Sequence, residues 1–289
     1  MNFCRYNDGR YGLVKNGDVY DISDLVADRS PRPAQRGDAF VRALPAIVAE
    51  LTQHPPSAPS CSVEDAVFLS PVLNPTKLVA APVNYEAHLA EARSNVELNF
   101  SKAVERIEKA GLFLKASSSL VGPGEGVATR FPERRCDHEI ELAVVIGTTC
   151  SYVSEADALD YVAGYAIGLD MSIRGPEDRS FRKSPDTFSV LGPWMVTADA
   201  FGDPSNVSFT LRVNGELRQQ SDTSKLVFSV PKLISWASEW YTLHPGDVIY
   251  TGTPDGVGPV TDGDVMDCIM DGIGTMAVKV RSFQTAALV

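Results

Sequence analysis

Glu139 and Glu141 stand two residues apart in DHEIELAVVIG (137–147), inside a run otherwise built of Ile, Leu, Val and Ala. That run reads as a strand covered on both faces. Side chains i and i+2 leave the same face of a strand about 7 Å apart. The two carboxylates therefore repel each other unless a positive charge lies between them. A solvated strand end is the plain account; a pair of hard oxygen ligands for a divalent cation is the chemical one. Asp170 closes a second strand-like stretch, YAIGLD (165–170), and adds a third carboxylate if the intervening chain, read as a helical excursion, returns beside the strand it left. Three converging carboxylates suit Mg²⁺ or Mn²⁺, with water or substrate filling the other positions.

A base is also present. NYEAHLAE (84–91) places His88 and Glu91 three residues apart, on one face of a helix, where the carboxylate can hold the imidazole in one tautomer. Such a pair can deprotonate water, although i,i+3 pairs also occur on ordinary surface helices. The chain has four histidines. His138 is the nearest competitor, but strand alternation turns it away from Glu139. Arg174 and Lys183, in the polar loop MSIRGPEDRSFRKSPDTF (171–188), can stabilise an oxyanion or simply face solvent. TGTPDGVGP (251–259) offers a tight glycine loop with the Thr253 hydroxyl. VGPGEG (121–126) has no helix signal after it, so it fits a dinucleotide fingerprint poorly, and neither a GxSxG motif nor a P-loop occurs.

These residues must be held by a mixed α+β scaffold in which strands predominate. Turn signals at Asn7-Asp8-Gly9 and Asn16-Gly17 break residues 1–25 into short strands, and a helical pattern follows over Phe40–Leu51. The Pro- and Ser-rich HPPSAPSCS (54–62) reads as a linker, dividing a small N-terminal β-rich domain (1–70) from a main domain (71–289). In the main domain KLVAAPV (77–83) is a strand and SEAD, from Ser154, caps a helix carrying Leu159, Val162 and Ala163. VSFTLRV (207–213) enters an Asn214-Gly215 hairpin, and a helix begins near Pro231. At 289 residues with 44% hydrophobic content, the chain can bury a substantial core. A net charge of −11 repels phosphate backbones and makes nucleic acid a poor partner. No apolar run spans a bilayer and no secretory block opens the chain, so a cytoplasmic protein without membrane contact is expected. Five scattered cysteines without a CxxC suggest reduced structural thiols.

Taken together, the stretches NYEAHLAE, FLKASSSLVGPG, DHEIELAVVIG, AGYAIGLDMSIR, FRKSPDTFSVLGPW, VNGE and TGTPDGVGP resemble the fumarylacetoacetate hydrolase family, in family order, from about Lys77 to Val280. The resemblance implies a β-roll or sandwich catalytic domain, usually in a homodimer, that acts on a small oxo-acid. It implies Mg²⁺ or Mn²⁺ (Ca²⁺ in crystals) on Glu139, Glu141 and Asp170, a His88–Glu91 dyad and a catalytic Lys183. Arg174, Thr253 and Tyr85 are the implied substrate-binding residues. The implied reaction is hydrolysis of a carbon–carbon bond in a 2,4-diketo acid, an acylpyruvate or fumarylpyruvate, to pyruvate and a carboxylic acid. Relatives decarboxylate, isomerise or hydrate similar acids, and a catalytically idle metal-binding protein is the reading from another class. Two departures stand out: Glu177 where many members carry Gln, and Ala81 where fumarylacetoacetase has a further carboxylate.

Overall fold

The computed structural model describes residues 1–29, 36–100 and 103–283. Ten strands form the path of its largest sheet. In chain order these are β1 (Asn2–Tyr6), β2 (Arg10–Lys15), β3 (Asp18–Asp21), β4 (Cys61–Ser62) and β5 (Leu78–Ala80). They continue with β6 (Phe113–Lys115), β7 (Ile140–Ile146), β8 (Val162–Asp170), β9 (Ser189–Thr197) and β10 (Val248–Tyr250). Their spatial order is β4-β3-β2-β1-β9-β8-β7-β10-β5-β6. A five-stranded sheet packs beside it and contains the hairpin of Ser208–Val213 and Glu216–Asp222. That hairpin turns at Asn214 and Gly215, with φ of 50° and 82°, as a type I′ turn requires. A small third sheet joins Ser172–Ile173, Cys136–His138 and Gly258–Pro259.

β7 lies at the centre because all seven of its residues are buried. Its two faces feed different cores. Ile140, Leu142, Val144 and Ile146 pack with Leu233, Ile234 and Ala237 of the helix Val230–Trp240. Ala143 and Val145 pack with Phe3, Phe40, Leu44 and Ile47, largely from the helix Ala39–Gln53. At about 1.5–3 kcal/mol for each fully buried large aliphatic side chain, burial on both faces fixes the register of this strand far more firmly than propensity does. Glu139 and Glu141 continue the Ala143–Val145 side. The N-terminal residues thus cover the face that, at its upper end, carries the carboxylates. β1 pairs with β9, so sheet and core run continuously from residues 1–70 into the rest of the chain.

The stretch between β7 and β8 departs from the helix expected there. Ser154 Oγ does meet Asp157, accepting its N–H at 3.3 Å and donating to Oδ2 at 2.7 Å. The chain then makes only a 3₁₀ turn at Ala158–Tyr161, and Val162 and Ala163 already belong to β8. The return carries no crossover helix, and β8 lies antiparallel to β7. Among the described residues no helix is long and apolar enough to cross a membrane, and all five cysteines are free thiols.

Candidate active site

The antiparallel pairing explains the meeting of the carboxylates. Ile140 faces Leu169 and Glu141 faces Gly168 across β7 and β8. One step further Asp170 comes opposite Glu139, and its N–H donates to the Glu139 carbonyl at 2.9 Å. Directly opposed residues of an antiparallel pair hold their Cβ atoms about 5 Å apart, while Glu141 is on the same face of the strand as Glu139. Each of the three offers an oxygen lying within 4.8 Å of the other two, and all three side chains are buried. Three hard oxygen donors at this spacing fit a six-coordinate Mg²⁺ or Mn²⁺ that keeps its remaining positions for water or substrate.

Fixed cations surround the cluster. Lys183 Nζ donates to Glu139 Oε2 at 2.6 Å and to Asp170 Oδ2 at 2.7 Å. Arg174 donates to Glu139 Oε1 at 2.7 Å and to Asp137 Oδ2 at 2.8 Å, and the Ser172 hydroxyl gives Glu139 a third bond at 2.9 Å. Burial alone would raise the Glu139 carboxyl, but Lys183 and Arg174 outweigh it and hold this acid far below the usual carboxylate range. Glu141 goes the other way. Burial, reinforced by the charge on Asp170, pushes its carboxyl well above the ordinary value, and its one hydrogen bond among the described residues comes from the Gly252 N–H at 2.6 Å. A carboxyl raised by burial beside one held low by its cations marks a place where one more positive charge would settle.

That Gly252 bond needs glycine. Its φ is +100°, and a Cβ would lie 2.7 Å from Asn84 Cβ. Asn84, fully buried, ties the same loop down by donating to the Thr251 carbonyl at 2.8 Å and the Phe228 carbonyl at 2.9 Å. The loop also meets the dyad. On the helix Glu86–Ser94, Glu91 Oε2 lies 2.9 Å from His88 Nδ1, and Glu91 Oε1 accepts the Gly256 N–H at 3.0 Å. With a carboxylate on Nδ1, that nitrogen carries the proton and Nε2 is left as the acceptor.

A cavity of about 290 Å³ opens over these groups. It is lined by His88, Glu139, Glu141, Asp170, Arg174, Lys183 and Thr253, so seven of the nine residues singled out from the sequence face one space. Glu91 stands behind His88. Tyr85 does not line the cavity: its ring is buried edge-on against Phe209 at 6.5 Å, which corrects the expectation of a substrate contact there. The Thr253 hydroxyl is engaged inward, donating to the Ile140 carbonyl at 2.9 Å and accepting from Gln219 Nε2 at 2.8 Å. His138 faces away, as alternation requires, with Nδ1 3.0 Å from Gln219 Oε1. Glu177 lines the cavity mouth, where Arg134 neutralises it through two bonds of 2.9 and 2.8 Å. Ala81 lines the cavity and brings no fourth carboxylate.

Two residues of the site escaped sequence reasoning. Lys115, buried at the end of β6, donates to Asp170 Oδ1 and to the Phe188 carbonyl, and burial pulls its ammonium below the usual range against the pull of Asp170. A lysine closing the apolar FLK run was the available signal. Gln219 braces the Thr253 loop from the neighbouring hairpin, and nothing local to residue 219 announces that.

Residues 77–281 match the fumarylacetoacetate (FAA) hydrolase C-terminal family, and the chain belongs to it. Over 286 residues it is 47% identical to the maleylpyruvate hydrolase of Aquipseudomonas alcaligenes, a match covering 98% of this chain and 100% of that one. It is 36% identical over 304 residues to the 2,4-didehydro-3-deoxy-L-rhamnonate hydrolase of Sphingomonas sp. (strain SKA58), covering 98% and 97% of the two chains. The fold matches the crystal structure of maleylpyruvate hydrolase from Sphingobium sp. SYK-6 in complex with manganese(II) ion and pyruvate, with a TM-score of 0.83, 39% identity and coverage of 98% and 100%.

Proposed function

We propose that this protein is a metal-dependent hydrolase that cleaves a carbon–carbon bond in a 2,4-dioxo acid of the acylpyruvate class, yielding pyruvate and a carboxylic acid. The carrying observation is that one cavity joins a three-carboxylate cluster to a carboxylate-held histidine. The likeness to maleylpyruvate hydrolases supports the substrate class and makes maleylpyruvate the first compound to assay.

Glu139, Glu141 and Asp170 would hold the ion. A bound Mg²⁺ or Mn²⁺ supplies a Lewis acid for the 2-oxo acid end of the substrate. His88 Nε2 takes a proton from water, and the hydroxide adds to the carbonyl farther from the substrate carboxylate. The bond from that carbon to the neighbouring methylene then breaks. Its electron pair leaves with the pyruvate fragment as an enolate, which recovers the proton. Lys183 and Arg174, placed beside the carboxylates, favour the oxyanion over its uncharged precursor. The same reading carries a cytoplasmic homodimer, and sedimentation of the purified chain tests the oligomer.

The deciding assay follows pyruvate and acid release from maleylpyruvate, fumarylpyruvate and acetylpyruvate with Mn²⁺ or Mg²⁺, with EDTA as control. Resolving products separates hydrolysis from decarboxylation or isomerisation. Failure to release pyruvate from any of them, by protein that binds the ion, would sink the proposal.

A further inference from the structure

The cavity has a second charged wall that the reaction leaves unused. Arg179 and Arg182 belong to the one-turn helix Arg179–Arg182 and stand three residues apart, so both leave the same face, and both line the cavity. Arg174 and Lys183 beside them are already committed to Asp137, Glu139 and Asp170. The outer pair is not. Among the described residues neither forms an ion pair. Arg182 donates only to the Ile173 carbonyl, at 3.3 Å, and the Arg179 guanidinium lies 5.5 Å from the Phe113 ring centroid. Of the acids nearby, Glu177 is paired with Arg134, Glu139 and Asp170 are paired with Lys183, and Asp178 accepts the Ser180 N–H at 2.8 Å without an ion pair to either arginine.

Both guanidiniums are half-buried, and burial pulls each below its ordinary value, Arg182 further under the like charge of Arg174. Two under-compensated forks in a partly dry wall are costly unless an anion meets them. Pro82, Val83, Leu98 and Val104 line the same cavity and give it an apolar component that suits a hydrocarbon spacer. A ligand matching these walls is charged at both ends and apolar between.

We propose that Arg179 and Arg182 bind the distal carboxylate of the substrate, so that the site selects dioxo acids whose acyl group ends in a carboxylate over those ending in an alkyl group. The assignment rests on the acylpyruvate reading for the placement of the other end. Its test uses binding alone. 2-Oxoheptanedioate and 2-oxoheptanoate have the same length, differ only in the far carboxylate, and contain no bond this chemistry can hydrolyse. Each is titrated calorimetrically into the Mn²⁺-loaded protein. The dioate should bind about 30-fold more tightly, the ratio for charged hydrogen bonds worth about 2 kcal/mol.

In R179Q/R182Q that ratio falls to within threefold, each single substitution lowers it about fivefold, and R179K/R182K keeps a preference for the dioate. Because a ratio is read within one preparation, partial misfolding does not imitate the result. Equal affinities in the unsubstituted protein, or a preference surviving in R179Q/R182Q, would overturn the assignment. Pyruvate release from acylpyruvates, measured separately, bears only on the hydrolase reading, so the two can fail independently.

Discussion

Glu91→Gln is the most discriminating perturbation of the dyad, because the carboxylate accepts two hydrogen bonds that an amide cannot both accept. Oε2 takes the His88 Nδ1 proton at 2.9 Å, and Oε1 takes the Gly256 N–H at 3.0 Å. Glutamine has a single acceptor oxygen. If that oxygen stays on the imidazole, its NH₂ faces the Gly256 N–H, and two opposed donors cost about 1–3 kcal/mol. If it turns round, NH₂ donates to Nδ1 and drives the imidazole proton to Nε2, the atom that must accept from water. One orientation strains the loop and the other removes the base. General-base assistance is worth roughly 10²–10⁴ in rate, so kcat on an acylpyruvate should fall about 10²- to 10³-fold, with Tm lowered by about 2–8 °C. Dioxo-acid absorbance measures the first and thermal denaturation the second. His88→Ala and the double variant complete a cycle. If Glu91 acts through His88, adding Glu91→Gln to His88→Ala costs no more than about threefold further. Multiplicative losses, or a Glu91→Gln enzyme within threefold of the original kcat, would refute the coupling.

Two further outcomes follow from the buried charges. Glu141 is raised by burial and the charge on Asp170. Between the ordinary glutamate value and the raised one, the folded protein therefore holds a proton that the unfolded chain has lost, and metal-free stability falls as pH rises through that window. A divalent ion must displace the proton, so within that window Mn²⁺ binding should release protons and tighten as pH increases. Titration calorimetry in buffers of different ionisation enthalpy reads this, and zero release with flat affinity would contradict it. Lys115→Met breaks a buried pair with Asp170 and should cost about 3–5 kcal/mol without metal. Saturating Mn²⁺ should recover much of that loss, because the ion supplies the missing charge. Equal losses in denaturant melts with and without Mn²⁺ would disprove this account of Lys115.

What the sequence made legible is what local periodicity controls. Glu139 and Glu141 share a face because a strand repeats every two residues, and His88 and Glu91 meet because a helix brings i and i+3 together. Asp170 was within reach for a related reason: a strand that ends in an acid and returns antiparallel lays that acid beside the start of its neighbour. The expected helix after Ser154 failed because its apolar residues, Val162 onward, were claimed by β8, where burial between β7 and β9 outweighs a local capping pattern. The division near residue 70, proposed from the Pro-rich stretch, marks a place in chain order, while sheet and core cross it. Lys115, Gln219 and the Arg134–Glu177 pair were hidden for one reason. Each acts on a partner more than thirty residues away, across strands whose adjacency no local pattern states.

Those hidden residues also show how this site tolerates its own repulsion. Three buried carboxylates without a cation would be expelled or neutralised. Here Arg174, Lys183 and Lys115 pair with Glu139 and Asp170, while burial and the charge on Asp170 raise the Glu141 carboxyl. The fold can therefore form before the ion arrives. Among the described residues Glu141 is the ligand of the three whose only hydrogen bond is a backbone N–H, so it is the one least committed to the protein's own cations. Substituting Glu141 should accordingly weaken metal binding while costing the metal-free fold little, whereas substituting Glu139 strands Arg174 and Lys183 and damages both.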